Sequence, residues 1–282
     1  MSRLRTGLVV LAVLAALTGC TGDGDDSPSS QPTPASTTAS SPTASPSPAT
    51  PPPRPRVGAC FRLTYDQAIA PTTDADPVRC RDPHTSVTYY VGTIDAVVDG
   101  HLLAVDSKRV QAQVSADCPR RLPRFVGGTP EDLRLSMLKA VWFTPTLEES
   151  DSGADWYRCD VIAVAVAGEL ARLSGPLEGV LSRPEGRARY GMCGTAEPGT
   201  ARFSRVICSR PHSWRAIRTV GFPGARYPGV QRVRAAGETP CEAAARGVAS
   251  DSLNFRWGYE WPTEKQWEAG QHHGLCWAPD PA

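Results

Sequence analysis

A Cys-x-x-Pro-His motif occurs twice in this 282-residue chain, at 80–84 and 208–212. The histidines of the two motifs are the best candidates for a chemical role in the chain. Imidazole titrates near neutrality, so each histidine is a candidate acid–base group. Cysteine and histidine also bind zinc, but no CxxC or HxxxH spacing is present, and we predict no metal and no other cofactor. Because a fold requirement repeats a histidine in both copies more readily than catalysis does, we interpret the repeated residues as structural: Pro83, His84, Pro211 and His212.

Each motif lies second in a series of four cysteines. The gaps are 20, 38 and 41 residues in the first series and 15, 33 and 35 in the second, which indicates two copies of one module. Eight cysteines after an export signal predict disulfides, and sequence alone allows 105 connectivities. Repeat symmetry favours the least entangled scheme: Cys60–Cys80, Cys118–Cys159, Cys193–Cys208 and Cys241–Cys276.

The elements around the cysteines predict an α+β fold of two tandem disulfide-stabilised modules, each with antiparallel strands and one main helix. The first main helix starts at Asp106 and places Val110, Val114 and Cys118 on one inner face. Thr129 caps a single helical turn, and Thr239 caps the main helix of the second copy. We expect strands at 58–63, 78–80, 85–96, 133–143 and 156–167, then at 188–193, 204–209 and 213–220.

A short capped helix is predicted before the last cysteine of each copy. Thr146 and Thr263 each begin a capping box, in which the threonine and a Glu or Gln three residues later satisfy free amides. Gly153 and Gly270 then suit the left-handed residue that ends such a helix. The carboxylates in the first of these helices are explained by a solvated helix N-terminus: Glu148, Glu149 and Asp151.

The N-terminal 56 residues are interpreted as targeting and linker sequence. Residues 1–19 have the charged, apolar and small-residue regions of a signal peptide, and Leu17-Thr18-Gly19-Cys20 resembles a bacterial lipobox. We predict lipidation at Cys20, with an ordinary secretory signal as the alternative. Residues 20–56 are rich in Ser, Thr and Pro and predict a disordered linker. The protein is then anchored by lipid to the extracytoplasmic face of the cell membrane.

The two predicted modules, residues 57–182 and 183–282, differ in charge. The first contains 12 Lys and Arg against 17 Asp and Glu, and the second contains 14 against 9. Docking of the two halves against each other is the simpler interpretation. The alternative presents the basic half to anionic wall polymer or lipid headgroups. Export excludes nucleic acid as a partner.

No residue pattern predicts catalysis. The chain lacks Gly-x-Ser-x-Gly, Ser-x-x-Lys and a phosphate-binding glycine loop, so we predict that it is not an enzyme. Trp257 and Trp261 are expected to supply core volume. Trp267 is the best candidate for an exposed binding surface, because the first copy has Ser150 at the equivalent position. The pair at 272–273 is expected to be a surface loop.

The chain resembles the septum-formation domain family of actinobacteria. The resemblance is carried by Val57–Phe61, Val78–His84, Cys118 and Pro145…Gly153…Cys159, and in the second copy by 208–212, 227–229, Cys241 and Pro262…Trp267…Gly270…Cys276. It implies a role in the division septum or in envelope assembly, and it implies no activity, substrate or catalytic residue. Such domains often occur on lipoproteins or membrane-anchored proteins, in agreement with Cys20.

Three functions remain open from the sequence. The first is a non-enzymatic envelope lipoprotein that binds another envelope or division component. The second is a module that binds cell-wall glycan through the aromatic residues of the second copy. The third is a hydrolase or transferase with His84 or His212 as base.

Overall fold

Two antiparallel sheets, one in each half of the chain, form the framework of the computed structural model, which describes residues 50–280. The predicted signal peptide, Cys20 and the linker up to residue 49 lie outside the described residues. The first half contains β1 (Cys60–Phe61), α1 (Tyr65–Ile69), β2 (Pro77–Val78), β3 (Ser86–Thr93), β4 (Val97–Val98), β5 (His101–Leu102), α2 (Lys108–Val126), α3 (Pro130–Arg134), β6 (Leu138–Phe143), α4 (Leu147–Asp151), β7 (Trp156–Val166) and β8 (Glu169–Leu170).

The second half follows a 3-10 turn at Val180–Ser182. It contains α5 (Pro184–Tyr190), β9 (Met192–Gly194), β10 (Arg205–Ile207), β11 (Trp214–Gly221), α6 (Val230–Ala235), α7 (Glu238–Val248), β12 (Gly258–Glu260), α8 (Glu264–Glu268) and β13 (His273–Pro279). The mixture of helices and antiparallel sheets is the predicted α+β class. Within residues 50–280, no helix combines the length and the apolar character needed to cross a bilayer.

The two sheets have the same strand order. It is β2-β1-β3-β7-β6 in the first, with β8 on β7, and β10-β9-β11-β13-β12 in the second. Both central strand pairs also contain a register shift beside the last cysteine of the half. The shift lies between Thr88 and Tyr90 in one sheet, where Tyr90 pairs with Cys159. It lies between Ala216 and Arg218 in the other, where Arg218 pairs with Cys276. The two halves therefore share a topology, including a local irregularity in the sheet.

The four disulfides have the pairing that repeat symmetry predicts. In each half, one bond joins the first strand to the residues after the second strand. The other bond joins the main helix to the last strand and is fully buried, as Cys118–Cys159 in one half and Cys241–Cys276 in the other. A buried bond of this kind fixes the helix on the sheet and restricts the unfolded chain.

Helix α2 packs as its apolar spacing predicts. Val110, Val114 and Cys118 are all buried on the face that meets the sheet. The helix cap is Ser107 rather than Asp106, because the Ser107 hydroxyl accepts a hydrogen bond from the Val110 amide at 3.4 Å. The predicted capping boxes at Thr146 and Thr263 are both present.

Three predicted boundaries were wrong. The strand expected at 133–143 begins only at Leu138, because a capping box at Thr129 starts α3 and draws Leu133 into it. The first half of the strand expected at 188–193 belongs to helix α5, which begins with a proline whose fixed φ suits a first helical position. Thr239 lies inside α7, whose N-cap is Gly237.

The predicted disordered linker ends earlier than residue 56. The guanidinium of Arg54 donates hydrogen bonds to the carbonyl oxygen of Gly92 at 2.7 Å and to the hydroxyl of Thr93 at 2.6 Å. It also forms an ion pair with Asp155 at 3.2 Å. Since these groups belong to β3 and the loop before β7, the last linker residues are held on the first module.

The two halves are joined by backbone pairing. The Met137 amide donates to the Tyr190 carbonyl at 2.8 Å, and the Met192 amide donates to the Leu135 carbonyl at 2.7 Å. One hydrophobic core extends through this junction and includes side chains of both halves, among them Leu138, Tyr190, Met192, Leu275 and Trp277. Residues 50–280 accordingly fall within one compact unit.

Ion pairs across the junction agree with docking of an acidic half on a basic half. Asp132 lies 3.7 Å from Arg187, and Glu169 pairs with Arg210. Each pair joins a carboxylate of residues 57–182 to a guanidinium of residues 183–282. The boundary between residues 182 and 183 itself stays a prediction.

A buried charge pair occupies the face of the first sheet opposite to the one that packs against α2. Asp160 is fully buried and accepts hydrogen bonds from the Ser86 and Thr88 hydroxyls, each at 2.7 Å. Arg158 forms an ion pair with Asp160 at 3.5 Å, and its guanidinium lies 3.7 Å from the centre of the Phe61 ring. Burial raises the pKa of Asp160 and lowers the pKa of Arg158. Keeping both groups charged therefore costs desolvation free energy.

The second half replaces this polar cluster with apolar side chains. The strand register makes Leu275 equivalent to Arg158 and Trp277 equivalent to Asp160. Trp214 and Ala216 stand in the same way for Ser86 and Thr88. The two copies therefore keep the backbone and differ in what they bury.

We predict strong coupling between Arg158 and Asp160. Asp160→Asn or Arg158→Met alone should lower the free energy of unfolding by about 3–5 kcal/mol, because each leaves one buried charge without its partner. The double variant should lose about 0.5–3 kcal/mol less than the sum of the two. Denaturant unfolding of the four proteins measures this difference, and strictly additive losses would contradict it.

Candidate functional site

The two motif histidines anchor the turns in which they lie. The ring nitrogen Nδ1 of His84 is 2.9 Å from the Asp82 carbonyl oxygen, and Nδ1 of His212 is 2.7 Å from the Arg210 carbonyl oxygen. A carbonyl only accepts, so the proton is on Nδ1 in both rings. This is the local anchor that the structural interpretation predicts, formed in both copies.

The second ring nitrogen of these histidines, Nε2, has a different environment in each copy. In His212 it lies 3.4 Å from a carboxylate oxygen of Asp280, which also pairs with Arg215. Residue 163, at the position equivalent to Asp280, is alanine. His84 instead lines a cavity of about 170 Å³ together with Arg62 and Arg172.

One group of candidate metal ligands surrounds His212. The ligand atoms of Cys193, His212 and Asp280 all lie within 4.8 Å of one another. The sulfur of Cys193 is bonded to Cys208, so it is not available as a thiolate ligand. The remaining histidine and carboxylate are engaged with each other and with Arg215.

The prediction of an exposed binding surface at Trp267 was wrong. Trp267 is only 3% exposed, and its indole nitrogen donates a hydrogen bond to the Ala225 carbonyl at 2.9 Å. The His272 ring stacks on the indole with 4.2 Å between ring centres, and Phe222 and Tyr227 pack around it. The segment 222–227 covers this tryptophan, and the first copy has no indole to cover. His272 is therefore not a simple surface residue either.

Several basic side chains line a cavity at the junction of the two halves. Its volume is about 380 Å³. The cavity lies between β6 and the end of α3 on one side and β10, β13 and the residues after α8 on the other. Four basic side chains line it: Arg134, Lys139, Arg205 and His273.

The positive charge of this cavity is only partly compensated. None of the side chains that line it is acidic. The Nε of Arg205 pairs with Glu260 at 3.1 Å, which leaves its terminal nitrogens for other partners. Among residues 50–280, Arg134 and Lys139 have no carboxylate within ion-pair distance. The cavity therefore presents uncompensated cationic groups from both halves.

The concentration of positive charge changes the titration of the cavity. Burial, together with the charges of Arg134, Lys139 and Arg205, lowers the pKa of His273 from 6.5 to about 4. Desolvation inside the cavity, aided by the charge of Arg205, lowers the pKa of Lys139. Shifts of this kind in a cleft are typical of functional sites.

The floor of the cavity is apolar. It is formed by side chains from α2, β6, β9 and β13, namely Leu122, Leu138, Met192 and Leu275. All four are buried members of the core shared by the two halves. A ligand in this cavity would meet positive charge and an apolar surface at the same time.

The residue patterns did not predict this site. Its four basic residues come from separate elements, and only the packing of the two halves brings them together. One signal was available, since Lys139 is one of only three lysines and stands inside an otherwise apolar strand. The neighbour of His273 in the chain, Gly274, led to its interpretation as a loop, whereas His273 begins β13.

Comparison with known proteins identifies the region that contains much of this site. Residues 141–276 match the family model described as Septum formation. The match covers 136 of the 282 residues. No curated protein and no solved structure matches the chain. The match agrees with the family resemblance carried by the cysteine motifs, and it points to a role in septum formation.

The septum-formation match extends across the junction of the two halves. It begins in β6, two residues after Lys139, and ends at Cys276. Arg205 and His273 lie within it, and Arg134 lies outside. The matched region thus takes the second part of β6, all of β7 and β8, and most of the second half.

The histidine anchors make a prediction for stability. His84→Ala or His212→Ala should lower the free energy of unfolding by about 1–3 kcal/mol, because each removes the hydrogen bond to a turn carbonyl. Asparagine places an amide N–H near the position of Nδ1, so His84→Asn should recover part of the loss. Denaturant unfolding measures both, and equal losses for alanine and asparagine would contradict the anchor.

The low pKa of His273 makes a prediction for acid stability. Between pH 6.5 and about 4 the unfolded chain binds a proton that folded His273 does not, so stability falls as the pH falls through this window. His273→Gln should reduce the loss of unfolding free energy across this pH window by about 1–2 kcal/mol. The matched control is His101→Gln on exposed β5, which should keep the wild-type slope. Equal slopes for all three proteins would contradict the prediction.

Proposed function

We propose that the protein is a non-enzymatic cell-envelope lipoprotein that acts in septum formation by binding another envelope component in the junction cavity. The observation that carries the proposal is the convergence of Arg134, Lys139 and Arg205 on one cavity of a chain that matches the septum-formation family model. Cationic groups that line one cleft without carboxylate partners give it a positive potential that attracts anions.

The chemistry of the cavity favours binding over catalysis. Its lining includes no serine, threonine, cysteine, aspartate or glutamate, and hence no pair of nucleophile and carboxylate base. His84 and His212 lie in turns, and each uses Nδ1 for a backbone carbonyl. These features support a binding protein and give the hydrolase hypothesis no assembled site.

The N-terminal sequence supports a location on the outer side of the membrane. Lipidation at Cys20 would tether the protein there, and residues 20–56 are predicted to form a linker rich in Ser, Thr and Pro. An extended proline-rich chain covers about 3.1 Å per residue, so such a linker would reach up to roughly 100 Å. The folded part would then be able to reach envelope components up to that distance from the membrane.

The wall-glycan hypothesis depended most on an exposed Trp267, and this residue is buried. Trp267 is packed against His272 and hydrogen-bonded through its indole nitrogen. Trp257 and Trp261 flank β12 and are half-buried. Binding of the purified protein to insoluble cell wall would revive this hypothesis, provided that a Trp261→Ala variant abolished the binding.

The test of the proposed function uses the full-length chain fused to a fluorescent protein in dividing cells. We expect the signal at midcell together with newly made wall, and we expect Cys20→Ser to release it from the membrane. A uniform membrane signal would contradict a role in septum formation.

The cavity is tested in the same cells. The double variant Arg134→Ser, Lys139→Ser should fail to restore normal septa to a deletion strain, because it removes the two cations without partners. The control Lys108→Ser, Lys265→Ser removes two lysines outside the cavity lining and should restore septa fully. Full restoration by the cavity variant at wild-type protein levels would contradict the assignment of the site.

A further inference from the structure

We propose that the junction cavity binds a phosphate-bearing amphiphile, with the phosphate held by Arg134, Lys139 and Arg205 and an adjoining apolar group on the floor. The inference rests on the proposed function, because it names the ligand class for the same cavity. It combines the charge of the cavity, the types of donor that line it and its apolar floor.

The donor set suits a phosphate group. Arg134 and Arg205 present guanidinium groups, whose planar donors fit two oxygens at once, and Lys139 adds a compact ammonium. Glu260 holds Arg205 through Nε, so the outer edge of that guanidinium remains available. Three cations from α3, β6 and β10 match the three free oxygens of a phosphate monoester better than the two oxygens of a carboxylate.

The floor of the cavity adds selectivity for an amphiphile. Leu122, Leu138, Met192 and Leu275 belong to the shared core and line the cavity below the cations. Inorganic phosphate would leave this apolar surface exposed to water. At about 380 Å³ the cavity is near the lower end of the range for small-molecule sites. It therefore fits the head of a ligand and the first part of an attached chain.

A simpler explanation covers only one of the three cations. Strand β6 lies at the edge of its sheet, and lysines at sheet edges discourage pairing with other chains. That explanation accounts for Lys139 alone. It leaves unexplained why Arg134 and Arg205, from two other elements, line the same cavity without an acidic residue.

The small number of lysines provides a direct measurement. Only Lys108, Lys139 and Lys265 carry a side-chain amine. The lowered pKa of Lys139 gives this amine a larger neutral fraction near neutral pH, so it should react faster with an acylating reagent than the other two. Mass spectrometry of peptides from the full-length protein compares all three amines in one sample.

The first experiment is protection of Lys139 by ligands. We expect dihexanoyl phosphatidic acid, a short-chain phosphate monoester lipid, to slow acylation of Lys139 at least tenfold and to leave Lys108 and Lys265 unchanged. Inorganic phosphate should protect only at concentrations about tenfold higher or more, because it cannot use the apolar floor. Hexanoate tests an anionic head that is not a phosphate.

Binding is then measured by calorimetry with the same phosphatidic acid. Lys139→Met and Arg205→Met should each weaken binding about tenfold or more, as expected for the loss of a charged hydrogen bond. The matched control Lys265→Met should bind like the wild type. Equal melting temperatures would show that the variants are folded, and the ring signals of His273 should shift on binding.

The outcomes separate the ligand class from the proposed function. Protection by hexanoate and not by phosphatidic acid would overturn the phosphate assignment and leave a binding cavity in place. Equal protection by inorganic phosphate and phosphatidic acid at equal concentration would overturn the amphiphile. No protection by any probe, with Lys139 no more reactive than Lys108, would overturn the inference, whereas midcell localisation would still support a septal role.

Discussion

The backbone pairing between residues 135–137 and 190–192 is the contact on which the arrangement of the two halves depends. It sets the start of β6 beside the start of β9, and it does so with two short hydrogen bonds between buried segments. Leu138 follows the first segment directly and Met192 ends the second, and both line the junction cavity. The same pairing allows one apolar core to include side chains from both sheets, so neither half has a complete core without the other. The cavity is thus a property of the junction and exists in neither module alone.

The disulfides explain how two copies could diverge while keeping one backbone. In each half a buried bond ties the main helix to the last strand, beside a register shift in the central strand pair. With the helix and the sheet fixed covalently, the opposite face of the sheet is free to change. The first half buries Arg158 and Asp160 there, and the second buries Leu275 and Trp277 at the equivalent positions. The histidine turns kept their backbone bond in both copies, and only His212 gained a carboxylate neighbour in Asp280.

The features predicted from the sequence are those set by local or repeated spacing. The disulfide pairing follows from repeat symmetry, the buried face of α2 from the spacing of Val110, Val114 and Cys118, and the short helices from threonine capping boxes. One error has a local cause, and the others occur where distant segments decide. Leu133 belongs to a strand-like run and lies in α3, because the cap at Thr129 is stronger than its β propensity. Trp267 looked exposed because nothing in its own neighbourhood indicates that residues 222–227 cover it. The basic residues of the cavity are up to 139 positions apart in the sequence and meet only through the packing of the two halves.

The charge of the cavity is the strongest support for the proposal that it binds an anion. Arg134 and Lys139 are exposed and have no carboxylate partner among residues 50–280, so they add positive potential to the cleft. Glu260 offsets the charge of Arg205 alone. The low pKa of His273 reflects its burial and the cost of adding a further positive charge at this place. Nearby, Arg187 pairs across the junction with Asp132 at 3.7 Å. The junction therefore compensates one of its arginines and leaves positive charge in the cavity, which favours an anion as its ligand.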